Sequence, residues 1–391
     1  MLNNKWVRLL GAVLCVAGLG TGAVAQETVK VGVLLSYSGP SGLGGQSADN
    51  VIKQYQKKFG SEPGGKKIEF VRRDTTGPNP ELVRRLAQEL IVREKVQVII
   101  GPDYTPNVLS IAPLVTEAKV PAIIHGAATQ GIVGEKSPYY LRTFFAIPQL
   151  TRPMAQWASK NNIKKVVMLV ADYGPGHDAE ATFTKAFVEL GGAVTNVIKV
   201  PLRNPEFSGH MQLIKDAKAD AVFVFLPLGE LSLQFLKAYS DSGLKNTDLK
   251  LLATADITDE STLDAAGNTA LGVITAGVYS PAHDSPVNKE FVAEHEQQFG
   301  KSLRVSLVHM AIWDAMQLLY SGLEAQRGAK FDPDKFVSHL RGRKFESPRG
   351  AFTIDKNTGD IVQNVYIRRT ERRDGLLQNV EFETIKDVPA K

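Results

Sequence analysis

The feature that most constrains this chain is a pattern written twice. Short apolar runs alternate with amphipathic stretches, which is how a sequence specifies strand–helix units around a parallel sheet. In the first set, "VKVGVLLS" (29–36), "KIEFVRRD" (67–74), "VQVIIG", "VPAIIHG" and "YYLRTFF" read as strands. After the second of these, Val83, Leu86, Leu90 and Ile91 recur at helical spacing, with Asn79 as cap and Pro80 in the first turn. A second set, "KKVVMLVADYG" (164–174), "AVTNVIKV", "ADAVFVFL", "LKLLAT" and "LGVITAGV", follows in the same order, offset by roughly 125 to 135 residues. Two Rossmann-like α/β lobes of similar size are expected.

The chain continues past both sets. Residues 285–345 carry two or three helical stretches, and "GAFTIDKNTGDIVQNVYIRR" reads as two strands about an Asn-Thr-Gly turn. Pro148, Pro281 and "SPRG" (347–350) mark three crossings between lobes. The expected division places 26–146 and 278–349 in lobe 1, and 147–277 and 350–391 in lobe 2.

Residues 1–25 are set aside as a secretory signal peptide. Lys5 and Arg8 precede a short apolar stretch, and Ala23-Val24-Ala25 fits a cleavage site before Gln26. The lone cysteine, Cys15, lies inside that stretch, so no disulfide is expected in the exported chain. Lysine and arginine number 46 against 41 acidic residues, a mild excess spread along the chain that does not point to nucleic acid. The basic run "YIRRTERRDG" reads as a solvated strand end and turn. A periplasmic monomer is expected.

Signals for catalysis are weak. "GPGHDA" (174–179) matches GxGxxA after a strand, but the next strand ends "VIKVPLRN" without the carboxylate that a dinucleotide ribose would need. There is no Walker loop and no GxSxG elbow. The seven histidines, at 125, 177, 210, 283, 295, 309 and 339, show no metal-ligand spacing. No cofactor, no metal and no catalytic residue is expected.

Two adjacent loops point instead to anion binding. In "VIIGPDYTPN" (98–107) a strand stops at Gly101, Tyr104 follows, and Thr105-Pro106 fits a helix cap and first turn. One strand–helix unit later, "IIHGAATQG" runs from a strand through His125 and small residues to Ala128 and Thr129. Threonine can serve its own helix and still donate to a guest, and ligands of open α/β sheets bind at this carboxyl edge.

Taken together, "VGVLLSYSGPSGLGGQ", "GPDYTPNVLSIAPLVTEAKVPAI", "GAATQGIV", "LRTFFAIPQLTRPMAQWA", "ADYGPGHDAEATF", "AYSDSGL" and "LDAAGNTALGVITAGVYSP" resemble the type I periplasmic solute-binding proteins of ABC transporters, in the branched-chain amino acid (Leu/Ile/Val-binding) group. The resemblance implies two lobes joined by three hinge strands, a separate membrane permease and ATPase as partners, and a ligand carried unchanged. It implies that Thr105 holds a ligand carboxylate, that Ala128 and Thr129 hold a carboxylate and ammonium, and that Tyr173 closes over the guest. The acid that pairs with an amino acid's ammonium falls at Ala255 in this chain, with Asp256 beside it. Leu43 stands where an aromatic residue is common, and Leu226 adds an apolar wall. His125 and Arg152 are further polar candidates. An unpaired buried ammonium is costly, so the missing acid favours a small carboxylate with an aromatic or apolar body and no α-amino group. An apolar amino acid, or an amide-sensing module of the same fold, is the alternative.

Overall fold

The computed structural model describes residues 26–39 and 42–391. The signal peptide expected over 1–25 lies outside the described residues. From the start of the described chain the order is β1 (Thr28–Leu35), α1 (Leu43–Phe59), β2 (Lys67–Asp74), α2 (Pro80–Val92), β3 (Val98–Ile100), α3 (Thr105–Glu117), β4 (Ala122–Ile124) and β5 (Tyr140–Arg142). These five strands form one parallel sheet in the order β2-β1-β3-β4-β5. Helix α2 starts as its sequence suggests: the Asn79 side chain accepts from the Leu82 N–H at 3.2 Å.

Next come α4 (Ile147–Lys160), β6 (Lys165–Ala171), α5 (Gly174–Glu189), β7 (Ala193–Val200), α6 (Phe207–Asp216), β8 (Ala221–Phe225), α7 (Glu230–Asp241), β9 (Lys250–Thr254), α8 (Glu260–Ala266) and β10 (Ile274–Gly277). Their strands are parallel in the order β10-β9-β8-β6-β7, the same winding as the first sheet. Val166 through Ala171 are all buried, as expected of a strand covered on both faces.

The rest of the chain serves both lobes. Helices α9 (Pro286–Phe299) and α10 (Leu307–Glu324) pack on α1, and α11 (Pro333–Leu340) packs on α10. Strands β11 (Lys344–Phe345), β12 (Phe352–Ile354), β13 (Ile361–Arg373) and β14 (Leu376–Val388) then extend the larger sheet antiparallel, with β13 against β10. The short β11 lies within 278–349, yet it pairs in the larger sheet.

Strand β14 was not foreseen. Asp374 and Gly375 both have positive φ, 51° and 81°, the backbone of a tight hairpin that turns β13 back on itself. The basic run is correspondingly less solvated than expected. Arg368 is 2% exposed, and its guanidinium donates to the Tyr279 carbonyl and to Thr275 Oγ1.

Buried arginines cluster where the chain passes between lobes. Arg349, in "SPRG", pairs with Asp314 and donates to the Thr143 carbonyl and to Gln363. Arg142, at the end of β5, pairs with Asp360 at 3.0 Å. Each joins segments far apart in sequence, so these crossings are well determined in position.

Candidate functional site

In each sheet the strand order reverses between the first and third strands of its set, β1/β3 and β6/β8. That is the switch point at which such sheets bind ligands. The two switch points face one another across a cavity of about 270 Å³. This lies just below the roughly 300–1,000 Å³ of a drug-sized ligand pocket, so the guest is small.

One wall comes from the smaller sheet and its helices: Leu43 and Ser47 of α1, Asp103, Tyr104 and Thr105 after β3, His125 and Ala128 after β4, Phe144, and Ser306 and Val308 at the start of α10. The facing wall comes from the larger sheet: Tyr173 and Pro175 after β6, Phe225 through Glu230 except Leu226, then Leu233, Asp256, Ser261 and Thr262.

The loop after β3 differs in detail from its sequence reading. Tyr104, with φ at 61°, occupies the cap position of α3, and Thr105 is the first helical residue. Thr105 therefore does not cap its helix. It is 3% exposed, and its hydroxyl has no hydrogen-bond partner within the protein. A buried polar group left unpaired is expensive unless a guest satisfies it. The unpaired N–H groups of the first helical turn favour an anion at the same place. Asp103 is turned inward by three donors: Ser36 through N–H (3.1 Å) and Oγ (2.5 Å), and Thr75 through Oγ1 (3.1 Å).

The loop after β4 is held from behind. The Arg142 guanidinium donates to the carbonyls of Ala127 and Thr129, at 3.1 and 3.0 Å, and the Ile147 N–H donates to the Ala128 carbonyl at 2.8 Å. All three carbonyls are thereby engaged by the protein. The Thr129 hydroxyl has no well-aligned partner; burial raises the pKa of nearby Asp178, and the Gln130 N–H and the Thr129 hydroxyl oppose that rise. His125 is buried, its Nδ1 has no partner, and burial pulls its pKa down to about 4, so the imidazole is neutral at pH 7.

Across the cavity, Tyr173 stacks on Phe225 with centroids 6.1 Å apart and planes at 21°. Asp256 is 5% exposed and accepts from Thr254 Oγ1 at 2.9 Å. Burial pushes its carboxyl up to about 7, with nearby Asp259 adding to the rise and the Thr254 hydroxyl and Arg368 opposing it.

Seven of the ten sequence candidates line the cavity: Leu43, Tyr104, Thr105, His125, Ala128, Tyr173 and Asp256. Thr129 lies just behind, facing Gly174. Leu226 and Ala255 are each one residue out of place. Leu226 is buried in the core of the larger lobe, because successive strand residues face opposite ways and Phe225 takes the cavity side. Ala255 and Asp256 lie in a 3-10 turn, where neighbours point about a third of a turn apart. Ala255 packs toward Gly277, and the next residue, Asp256, lines the cavity. Arg152 is not on the wall. Sequence reasoning missed Phe144, Phe225, Ser306 and the Ser261–Thr262 pair. Of these, Ser306 carried a local signal as the cap of α10, where it contacts His309 Nδ1 at 2.9 Å.

The nucleotide-like "GPGHDA" has a packing explanation. A Cβ on Gly176 would lie 1.7 Å from the Ala171 carbonyl oxygen, and one on Gly174 would lie 2.9 Å from Thr129 Oγ1. The bare Cα of Gly176 lets α5 approach β6, and that of Gly174 lets Thr129 of the other lobe come near.

Two like-wound α/β lobes enclosing a small cavity at their paired switch points define a type I periplasmic solute-binding protein. The chain belongs to the periplasmic binding protein family, matched over residues 28–375, and to its branched-chain amino acid group. A solute-binding protein of an ABC transporter from Rhodopseudomonas palustris BisB5, solved with 3,4-dihydroxybenzoic acid, is 44% identical with a TM-score of 0.89, over 93% of this chain and 98% of that one. Its counterpart from Rhodopseudomonas palustris HaA2, solved with p-hydroxybenzoic acid, is 43% identical with a TM-score of 0.90, over 93% and 98%. The Leu/Ile/Val-binding protein homolog 6 of Brucella melitensis is 40% identical over 374 residues, 95% of each chain.

Proposed function

We propose that this chain is the periplasmic component of an ABC importer that captures a ring-hydroxylated aromatic carboxylate and delivers it to a separate permease and ATPase. The observation that carries the reading is the pairing of opposite needs across one small cavity. On one side the unpartnered Thr105 hydroxyl, the α3 N-terminus and neutral His125 offer donors to a carboxylate. On the other, Asp256 offers an acceptor for a hydroxyl. Tyr173, Phe225 and Phe144 give the body of the guest an aromatic surface. The hydroxybenzoates held by relatives of 43–44% identity have this shape.

Asp256 also supports a second reading. Its carboxylate could pair with the ammonium of an apolar amino acid, and curated relatives carry Leu/Ile/Val-binding names. A pKa near 7 makes Asp256 a poor permanent anion, which favours a neutral hydroxyl partner. A thermal-shift screen of the mature protein with 4-hydroxybenzoate, benzoate, leucine and valine separates the readings. The aromatic reading expects 4-hydroxybenzoate to stabilise most; leucine or valine stabilising most would reject it.

A further inference from the structure

Two carboxylates outside the ligand cavity reach from the larger lobe to backbone N–H groups of the smaller one. Asp178, on α5, accepts from the Gln130 N–H at 3.0 Å. Asp259, at the start of α8, accepts from the Leu307 N–H at 3.1 Å through Oδ2. Its Oδ1 meanwhile accepts from the N–H and hydroxyl of Ser261. Neither aspartate lines the cavity, yet each bond sits at its rim: Gln130 follows Ala128 and Thr129, and Leu307 lies between Ser306 and Val308.

We propose that Asp178 and Asp259 are closure latches, positioning residues that hold the lobes together over a guest without touching it. This rests on the reading that the cleft closes on a guest, but not on which guest it is.

The chemistry of each contact suits a latch. Leu307 is the first residue of the 18-residue α10, whose leading N–H groups have no partner within the helix. Asp259 therefore caps its own helix, through Ser261, and a helix of the other lobe at once. Only the second bond breaks when the lobes part, and an anion at that helix end gains from the dipole. Gln130 sits at the end of the loop that Arg142 fixes from behind, so Asp178 pulls on a rigid element. Both bonds are charge-assisted, the stronger kind. By contrast, the cross-lobe pair Arg304–Asp264 involves a carboxylate that is 62% exposed, and such pairs contribute little. Interactions present only in the closed state raise affinity by slowing opening, so their loss should appear in dissociation.

The test compares Asp178→Ala, Asp259→Ala and Asp178→Asn with wild type, using stopped-flow and calorimetric titration with 4-hydroxybenzoate. Each alanine variant should raise Kd about tenfold, almost wholly through faster dissociation; the ligand-free melting temperature should hold in Asp178→Ala and fall in Asp259→Ala, which also loses the cap of α8. Asp178→Asn keeps an acceptor oxygen without the charge and should recover part of the loss. Kd and dissociation within twofold of wild type for Asp178→Ala would overturn the latch. So would a loss confined to association. A lower melting temperature in Asp259→Ala with a dissociation rate within twofold of wild type would mark an ordinary helix cap and overturn the latch there. If wild type binds leucine and not 4-hydroxybenzoate, the aromatic reading falls. The same comparison then runs with leucine, where the latch expects the same fold-change.

Discussion

Thr129 and Gly174 meet across the cleft with no room to spare: a Cβ on Gly174 would sit 2.9 Å from Thr129 Oγ1 and 3.5 Å from Thr105 Cγ2. A side chain at position 174 would press on Thr129 between the lobes. Gly174→Ala should therefore weaken ligand binding by about tenfold, equivalent to roughly 1.4 kcal/mol of lost closure. Titration calorimetry reads the loss, and an unchanged Kd would show that the cleft closes without this contact.

Thr105 carries the second prediction. Its buried hydroxyl lacks a protein partner, so its free energy is realised only with a guest. Thr105→Ala should raise Kd for a carboxylate ligand by tenfold or more, about 1.5–3 kcal/mol for a hydrogen bond to a charged group. Thr105→Ser should retain most of the affinity. Stability of the ligand-free protein should hold or rise slightly in Thr105→Ala, because an unsatisfied polar atom has been removed.

Asp256 gives a pH-dependent prediction. Its carboxyl is raised from 3.8 to about 7 by burial, so between about pH 4 and pH 7 the folded protein holds a proton that the unfolded chain releases. This group therefore costs stability as pH rises through that window, and the cost is complete above pH 7. Asp256→Asn lacks the cost. It should melt a few degrees above wild type at pH 8, with the gap narrowing through pH 5 and closing near pH 4. Glu260, raised to about 7, and Asp314, raised to about 6, titrate in the same window but are common to both proteins. A gap that stays constant with pH would contradict the assignment.

Arg142 ties the ligand loop to the crossing between lobes. Replacing it with methionine leaves Asp360, 4% exposed, without its cation and removes the donor from three carbonyls, those of Ala127, Thr129 and Phe145. A loss of about 3–5 kcal/mol in unfolding free energy is expected, the usual effect of breaking a buried ion pair. Chemical denaturation checks it; a loss under about 1 kcal/mol would place the pair among weak surface bridges.

The repeated strand–helix pattern was legible because each unit declares itself locally, through an apolar run, a cap and an amphipathic helix. The loops bearing Thr105 and Thr129 were legible for a related reason: small residues directly after a strand have few structural uses. What could not be read was orientation at the scale of one residue. Leu226 against Phe225, and Ala255 against Asp256, depend on where a strand ends and how a 3-10 turn enters, which tertiary packing decides. Nor could Phe144 or Ser306 be placed, because long-range packing brings a crossing segment and α10 to the same wall. Strand β14 escaped notice because its pattern does not alternate cleanly: Leu376 and Phe382 are exposed while Asn379 is buried, which leaves the Asp374-Gly375 turn as its one strong signal.

The most direct test of the account is a calorimetric comparison of 4-hydroxybenzoate, benzoate and leucine on mature wild type and on Asp256→Ala. The account expects wild type to bind 4-hydroxybenzoate at least about tenfold more tightly than benzoate, and Asp256→Ala to abolish that preference. Leucine binding more tightly than 4-hydroxybenzoate, with the leucine affinity lost in Asp256→Ala, would show that the carboxylate serves an ammonium and would contradict it.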